Sequence, residues 1–196
     1  MDRQPRRSRA RVEAVVRPTP AELQAAQRRR VADLIGPGLR VLFCGINPSL
    51  YSAAVGHHFA RPGNRFWPTL HRAGFTPSLL RPERGHELLA AGIGITNVVS
   101  KPSASADELL DEDYRRGGRS LRRKLARYAP RAIAFLGLGA YRIAANQPGA
   151  AVGRQSEAFG GVETWALPNP SGLNAHYSLD ALVACYRELA RAIAND

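Results

Sequence analysis

Three short polar runs interrupt otherwise apolar stretches of this chain: Gly45-Ile46-Asn47-Pro48-Ser49, Thr96-Asn97, and Pro168-Asn169-Pro170-Ser171-Gly172-Leu173-Asn174. An asparagine amide has no proton equilibrium near neutral pH, so it cannot act as a strong base. It can orient a water or read a hydrogen-bonding edge. A glycine, an asparagine and a proline leaving a buried strand make a tight turn that aims one amide at a cleft, but the same residues also suit an Asn47 that caps the turn through its own backbone. Spacing alone leaves both open. Asp107 and Glu108 lie in a polar loop where either could assist a water or cap the next helix. His57 and His58 have no partners at metal-ligand spacing and read as hydrogen-bonded pocket wall or phosphate contacts. Cys44 and Cys185 are too far apart for a zinc ribbon or an iron–sulfur cluster, so a metal built on thiolates is excluded. Gly137 and Gly139 hint at a dinucleotide loop, but its third glycine is missing.

Alternating elements must carry these runs. Thr19-Pro20-Ala21-Glu22 is a capping-box start for a helix expected to reach Ile35 and stop at Gly36-Pro37-Gly38. Leu39 to Cys44 reads as a buried strand, and residues 50–63 show no period of either kind, which predicts a long loop, functional or disordered. A helix opens near Asn64 with Phe66, Leu70 and Ala73 on one face, Phe66 and Trp67 reading as core. Pro82–Ala91 is a short helix, Ile93 to Val99 a strand, and Asp113 to Tyr128 a helix with Leu121, Leu125 and Tyr128 inward and four arginines outward. Ala132–Leu136, then Gly139–Ala145, then Thr164–Leu167, then Ser178–Ile193 continue as strand, helix, strand, helix. Such alternation predicts an α/β fold, a three-layer sandwich with a mainly parallel central sheet flanked by helices, and it brings the polar strand ends to one rim.

The 196 residues suit one domain at roughly 100–200 residues per domain, and 44% hydrophobic residues can fill its core. Lysine and arginine exceed aspartate and glutamate by 12, and only Lys101 and Lys124 are lysines. Arginine forks match phosphate, so the expected partner is nucleic acid ahead of an anionic membrane. Residues 1–30 hold nine arginines against Asp2, Glu13 and Glu22. That bias predicts a flexible arginine-rich arm over residues 1–18, either solvated or touching DNA, with a single domain over 19–196. No apolar run is long enough for a membrane span or a signal peptide, which predicts a cytoplasmic, nucleoid-associated protein.

Gly45-Ile46-Asn47-Pro48, Gly56-His57-His58-Phe59 and Pro62-Gly63-Asn64-Arg65-Phe66-Trp67 resemble the first signature of the mismatch-specific uracil/thymine DNA glycosylases of the uracil-DNA glycosylase superfamily. Asn169-Pro170-Ser171-Gly172-Leu173 resembles the second. Gly92 to Asn97 and Gly117-Gly118-Arg119 are also similar, so the resemblance runs from about Gly38 to Leu189. It departs at Ser49, where the family usually has glycine, and in the segment after Leu173.

That resemblance implies a monomeric, cofactor-free enzyme that flips uracil, or thymine and other altered pyrimidines, out of double-stranded DNA at G·U or G·T mismatches and hydrolyses the N-glycosidic bond. Asn47 would hold the water. Ile46, His58, Phe59 and Asn97 would form the base pocket, with Phe59 stacked on the base and Asn97 reading its edge. Leu173 would be the wedge filling the vacated stack, with Asn169, Ser171, Gly172 and Asn174 around it. Apart from the resemblance, Asp107 is the candidate carboxylate that could assist the water, its other and favoured reading being the N-cap of the next helix. No lysine falls in the matched motifs, so a Schiff-base lyase step lacks its amine. Two rivals stand beside this reading: a DNA-binding module without chemistry, and a hydrolase acting on free nucleotides.

Overall fold

Alternation along one strand sets the layers. In the computed structural model, which describes residues 17–194, strand β1 (Val41–Gly45) sends Val41 and Phe43 into one buried cluster and Leu42 and Cys44 into another. A strand apolar on both faces has to be covered twice, which is how near-continuous hydrophobic runs behave in parallel sheets. The sheet is completed by β2 (Ile93–Asn97), β3 (Ala132–Leu136), β4 (Gly153–Arg154) and β5 (Glu163–Leu167), in the order β2-β1-β3-β5-β4. The first four in that order run parallel, and the two-residue β4 closes the edge antiparallel to β5.

The helices are α1 (Pro20–Ala25), α2 (Leu50–Val55), α3 (Phe66–Arg72), α4 (Asp111–Tyr128), α5 (Leu138–Ala145) and α6 (Leu179–Ala194), with a 3-10 segment over Pro82–Ala91. Phe66, Trp67 and Leu70 of α3, Leu88 of the 3-10 segment and Leu182, Tyr186 and Leu189 of α6 cover the Val41/Phe43 face. Leu121 and Leu125 of α4 and Tyr141 of α5 cover the Leu42/Cys44 face. This is the expected three-layer α/β arrangement.

Several local expectations need correction. Thr19 forms its capping box with Glu22, but the helix it opens ends at Ala25, followed by a 3-10 turn over Ala26–Arg28. The chain then extends so that Leu34 exchanges two backbone hydrogen bonds with Ile95, at 2.9 and 2.8 Å. Pairing with the β2 edge satisfies donors and acceptors that would otherwise stay bare, which outweighs the local helical preference. The stretch 50–63 is not wholly irregular: Ser49 accepts from the Ser52 N–H and caps α2, which ends at a left-handed Gly56. The residue that departs from the family pattern is thus a helix cap. β2 stops at Asn97, after which Val98 and Val99 donate to the carbonyls of Gly45 and Ile46. Tyr128 is half-buried rather than inward.

The arm expected over residues 1–18 lies, through residue 16, outside the described residues. No helix among the described residues is long and apolar enough to cross a membrane.

Candidate active site

The parallel register places Gly45 beside Asn97 at the carboxyl ends of β1 and β2, and β5 delivers the 168–174 run to the same rim. A cleft opens there, lined by residues of all three polar runs, among them Asn47, Asn97 and Asn169, together with His58, Phe59 and Leu173.

Asn47 Nδ2 donates to the Lys101 carbonyl at 3.0 Å and to Ser103 Oγ at 2.7 Å. Carbonyl oxygen only accepts, so the nitrogen end of the amide is fixed and Oδ1 remains as its acceptor. These bonds cross 54 and 56 positions of sequence. Asn47 is therefore held by a distant loop rather than spent on its own turn. Ser103 passes its own hydroxyl hydrogen to the Ser105 carbonyl, which leaves its lone pairs for Asn47.

His58 and Asn97 form a second fixed pair. His58 Nε2 lies 2.9 Å from the Ala32 carbonyl and must carry the hydrogen there. In the neutral ring Nδ1 is then an acceptor, and the Asn97 amide nitrogen stands 3.4 Å from it. Burial pulls the His58 pKa below the ordinary histidine value, against the opposing pull of the Ala32 carbonyl and the Asp33 charge. Gly45 makes room for this pair, since a Cβ there would sit 2.5 Å from Asn97 Oδ1 and 3.2 Å from the Phe59 ring.

Phe59 stacks on Phe66 with centroids 4.0 Å apart and planes at 24°, while lining the cleft. Its φ of 54° is unusual for an aromatic residue. Such backbone strain, of order 1–3 kcal/mol, is characteristic of functional sites. The Ala60 N–H that follows is tied to Ser52 Oγ at 3.1 Å.

The 168–177 loop is braced from within and from outside. Asn169 Oδ1 accepts from Ser171 N–H at 2.9 Å, and Asn174 Nδ2 donates to the Asn169 carbonyl at 2.9 Å. From the first motif, Arg65 donates to the carbonyls of Ser171 at 2.7 Å, Asn174 at 2.8 Å and Tyr177. Gly172 backs onto Gly63, where a Cβ would lie 2.6 Å from the Gly63 carbonyl oxygen. With its surroundings locked, Leu173 projects 67% exposed.

Eight of the sequence-derived candidates therefore line one cleft: Ile46, Asn47, His58, Phe59, Asn97, Asn169, Ser171 and Leu173. Gly172 and Asn174 flank Leu173 and shape the loop. Asp107 is not part of the lining, and its carboxylate accepts from Ser105 Oγ at 2.9 Å. Its neighbour Glu108 closes the capping box by accepting from the Ser105 N–H. The sequence reading missed Ser103 and Arg65. Arg65 stands within the first signature, but that run gave it no role of its own. Among the described residues, no group of three His, Cys, Asp or Glu side chains could hold a metal ion, and no lysine lines the cleft.

A solution NMR structure of a candidate uracil DNA glycosylase from Methanosarcina acetivorans matches with a TM-score of 0.56 at 23% identity, over 83% of this chain and 98% of that one. At that identity the likeness concerns the fold. The family model of the uracil DNA glycosylase superfamily matches residues 32–190, a span that holds β1 to β5 and both braced motifs, and the chain belongs to that superfamily.

Proposed function

We propose that the protein is a monomeric, monofunctional DNA glycosylase that removes uracil opposite guanine, and with it thymine or other altered pyrimidines, from duplex DNA. The observation that carries this reading is the fixed orientation of two amides in one cleft, Asn47 by Lys101 and Ser103, and Asn97 by His58. Uracil offers an acceptor at O4 and a donor at N3, the complement of an amide. Cytosine offers the reverse, and an amide that cannot turn over discriminates between them. Phe59 stacks on the extruded base and Leu173 fills the gap in the duplex.

Asn47 Oδ1 accepts a hydrogen from water and holds it against the anomeric carbon. As the C–N bond breaks, its electron pair leaves with the base, and the sugar becomes oxocarbenium-like. A positioned water then adds and loses its proton to solvent. Backbone N–H groups at Ile46 and Phe59 supply donors for the departing base anion. Asp107 has no part in this scheme because it does not line the cleft. Without a lysine in the cleft, the reaction stops at the abasic site.

The test is alkaline strand cleavage after incubation with duplexes carrying one G·U, G·T, A·U or G·C pair. Cleavage is expected with G·U ahead of the others and none with G·C. Absence of cleavage throughout would mean a binding module. Equal release from G·U and A·U would remove the mismatch requirement, and release from free nucleotides without salt dependence would favour the second rival.

A further inference from the structure

Asn97 also lines a second cleft, formed by the 97–101 segment and α4, with a cavity volume of about 400 Å³. Five cationic residues line it: Arg30, Lys101, Arg116, Arg123 and Lys124. Two are already neutralised. Lys124 meets Asp33 at 2.5 Å, and Arg116 meets Asp113 at 3.6 Å. Asp113 is the one carboxylate in the lining, and it also accepts from the Leu110 N–H at 3.1 Å. Arg30, Lys101 and Arg123 have no ion pair or side-chain hydrogen bond among the described residues. Three uncompensated cations thus share one concavity with the hydroxyls of Ser100 and Ser120. Like charges held together raise the local potential, and a multiply charged anion relieves it.

We propose that this cleft is a phosphate-binding site that takes the backbone of the substrate DNA beyond the target nucleotide. The proposal rests on the DNA-glycosylase reading above. Phosphodiester oxygens suit it because the guanidinium groups of Arg30 and Arg123 offer paired donors, and because the shared Asn97 wall puts the site next to the base cleft. Lys101 links the two sites within one residue. Its carbonyl holds the Asn47 amide, and the residue also lines the second cleft. A phosphate captured there would steady the segment that orients Asn47.

The experiment uses the full chain with Arg30→Gln and Arg123→Gln together. The comparison is an equal charge loss across the sheet, Arg187→Gln with Arg191→Gln on α6. Affinity for a G·U duplex is measured across a series of salt concentrations. Each phosphate contact contributes a slope of about 0.9 in log affinity against log salt. The Arg30/Arg123 variant is expected to show a slope shallower by about 1–2, with the α6 variant close to wild type. Uracil release from a short single-stranded oligonucleotide, with too few phosphates to span both clefts, should be unchanged in either. Equal slopes in both variants would overturn the proposal. If the slope is unchanged but inorganic phosphate raises the melting temperature of wild type and not of the Arg30/Arg123 variant, the site takes a free anion and the DNA assignment is overturned. Wild-type protein inactive on G·U would instead refute the glycosylase reading, while the salt comparison still reports on the cleft.

Discussion

His58 Nδ1 faces the Asn97 amide nitrogen at 3.4 Å, and the hydrogen on the opposite ring nitrogen is committed to the Ala32 carbonyl. The proton inventory of one buried ring thereby decides which way the Asn97 amide points. Protonation would place an N–H against the Asn97 nitrogen and remove its acceptor.

Burial lowers the His58 pKa, so the neutral ring persists to pH values below the ordinary histidine range, near 6.5. Base release by wild type is therefore expected to fall on an acid limb below that range, and His58→Gln should lack this limb. Stability has the same sign. The unfolded chain takes up the proton first, so the melting temperature should drop as pH falls through the ordinary value towards the folded one. An identical acid limb in both proteins would remove His58 from control of Asn97.

Arg65 gives three hydrogen bonds to carbonyls of the loop that presents Leu173. If that loop unstacks DNA, Arg65→Met and Leu173→Ala should each slow uracil release from duplex by roughly tenfold or more, since unstacking costs a few kcal/mol per step. Release from single strands should hardly change. The double variant should be no slower on duplex than the worse single, because Arg65 acts through the loop. An equal fall on duplex and single strand would show general destabilisation and would withdraw the wedge.

Gly45→Ala tests the crowding at the strand end. The new methyl would approach Asn97 Oδ1 at 2.5 Å and the Phe59 ring at 3.2 Å. Something must move, and the amide lies nearest. Uracil release should fall by roughly tenfold or more, with the far-ultraviolet dichroism unchanged. Full activity would mean that Asn97 can shift without consequence.

Much of this was legible in the sequence, for identifiable reasons. The runs around Phe43, Ile95 and Phe135 read as strands because an apolar stretch bounded by glycine or proline leaves little choice. The polar residues at their carboxyl ends converge because parallel strands share one rim. What stayed hidden depends on partners distant in sequence. The extension around Leu34 is imposed by Ile95, and Ser103 and Arg65 owe their roles to groups 56 and more than 100 positions away. α2 escaped because six residues carry too little periodicity to register, although Ser49 was in plain view as its cap.

In the proposed reaction Asn47 contributes by holding a water and nothing else. Single-turnover release of uracil from a G·U duplex by Asn47→Ala, with binding to the same duplex measured in parallel, tests it most directly. Affinity should be unchanged, and the release rate should fall by about a hundredfold or more, the scale of losing one well-placed reactant. Release at near the wild-type rate, with the duplex equally bound, would contradict it.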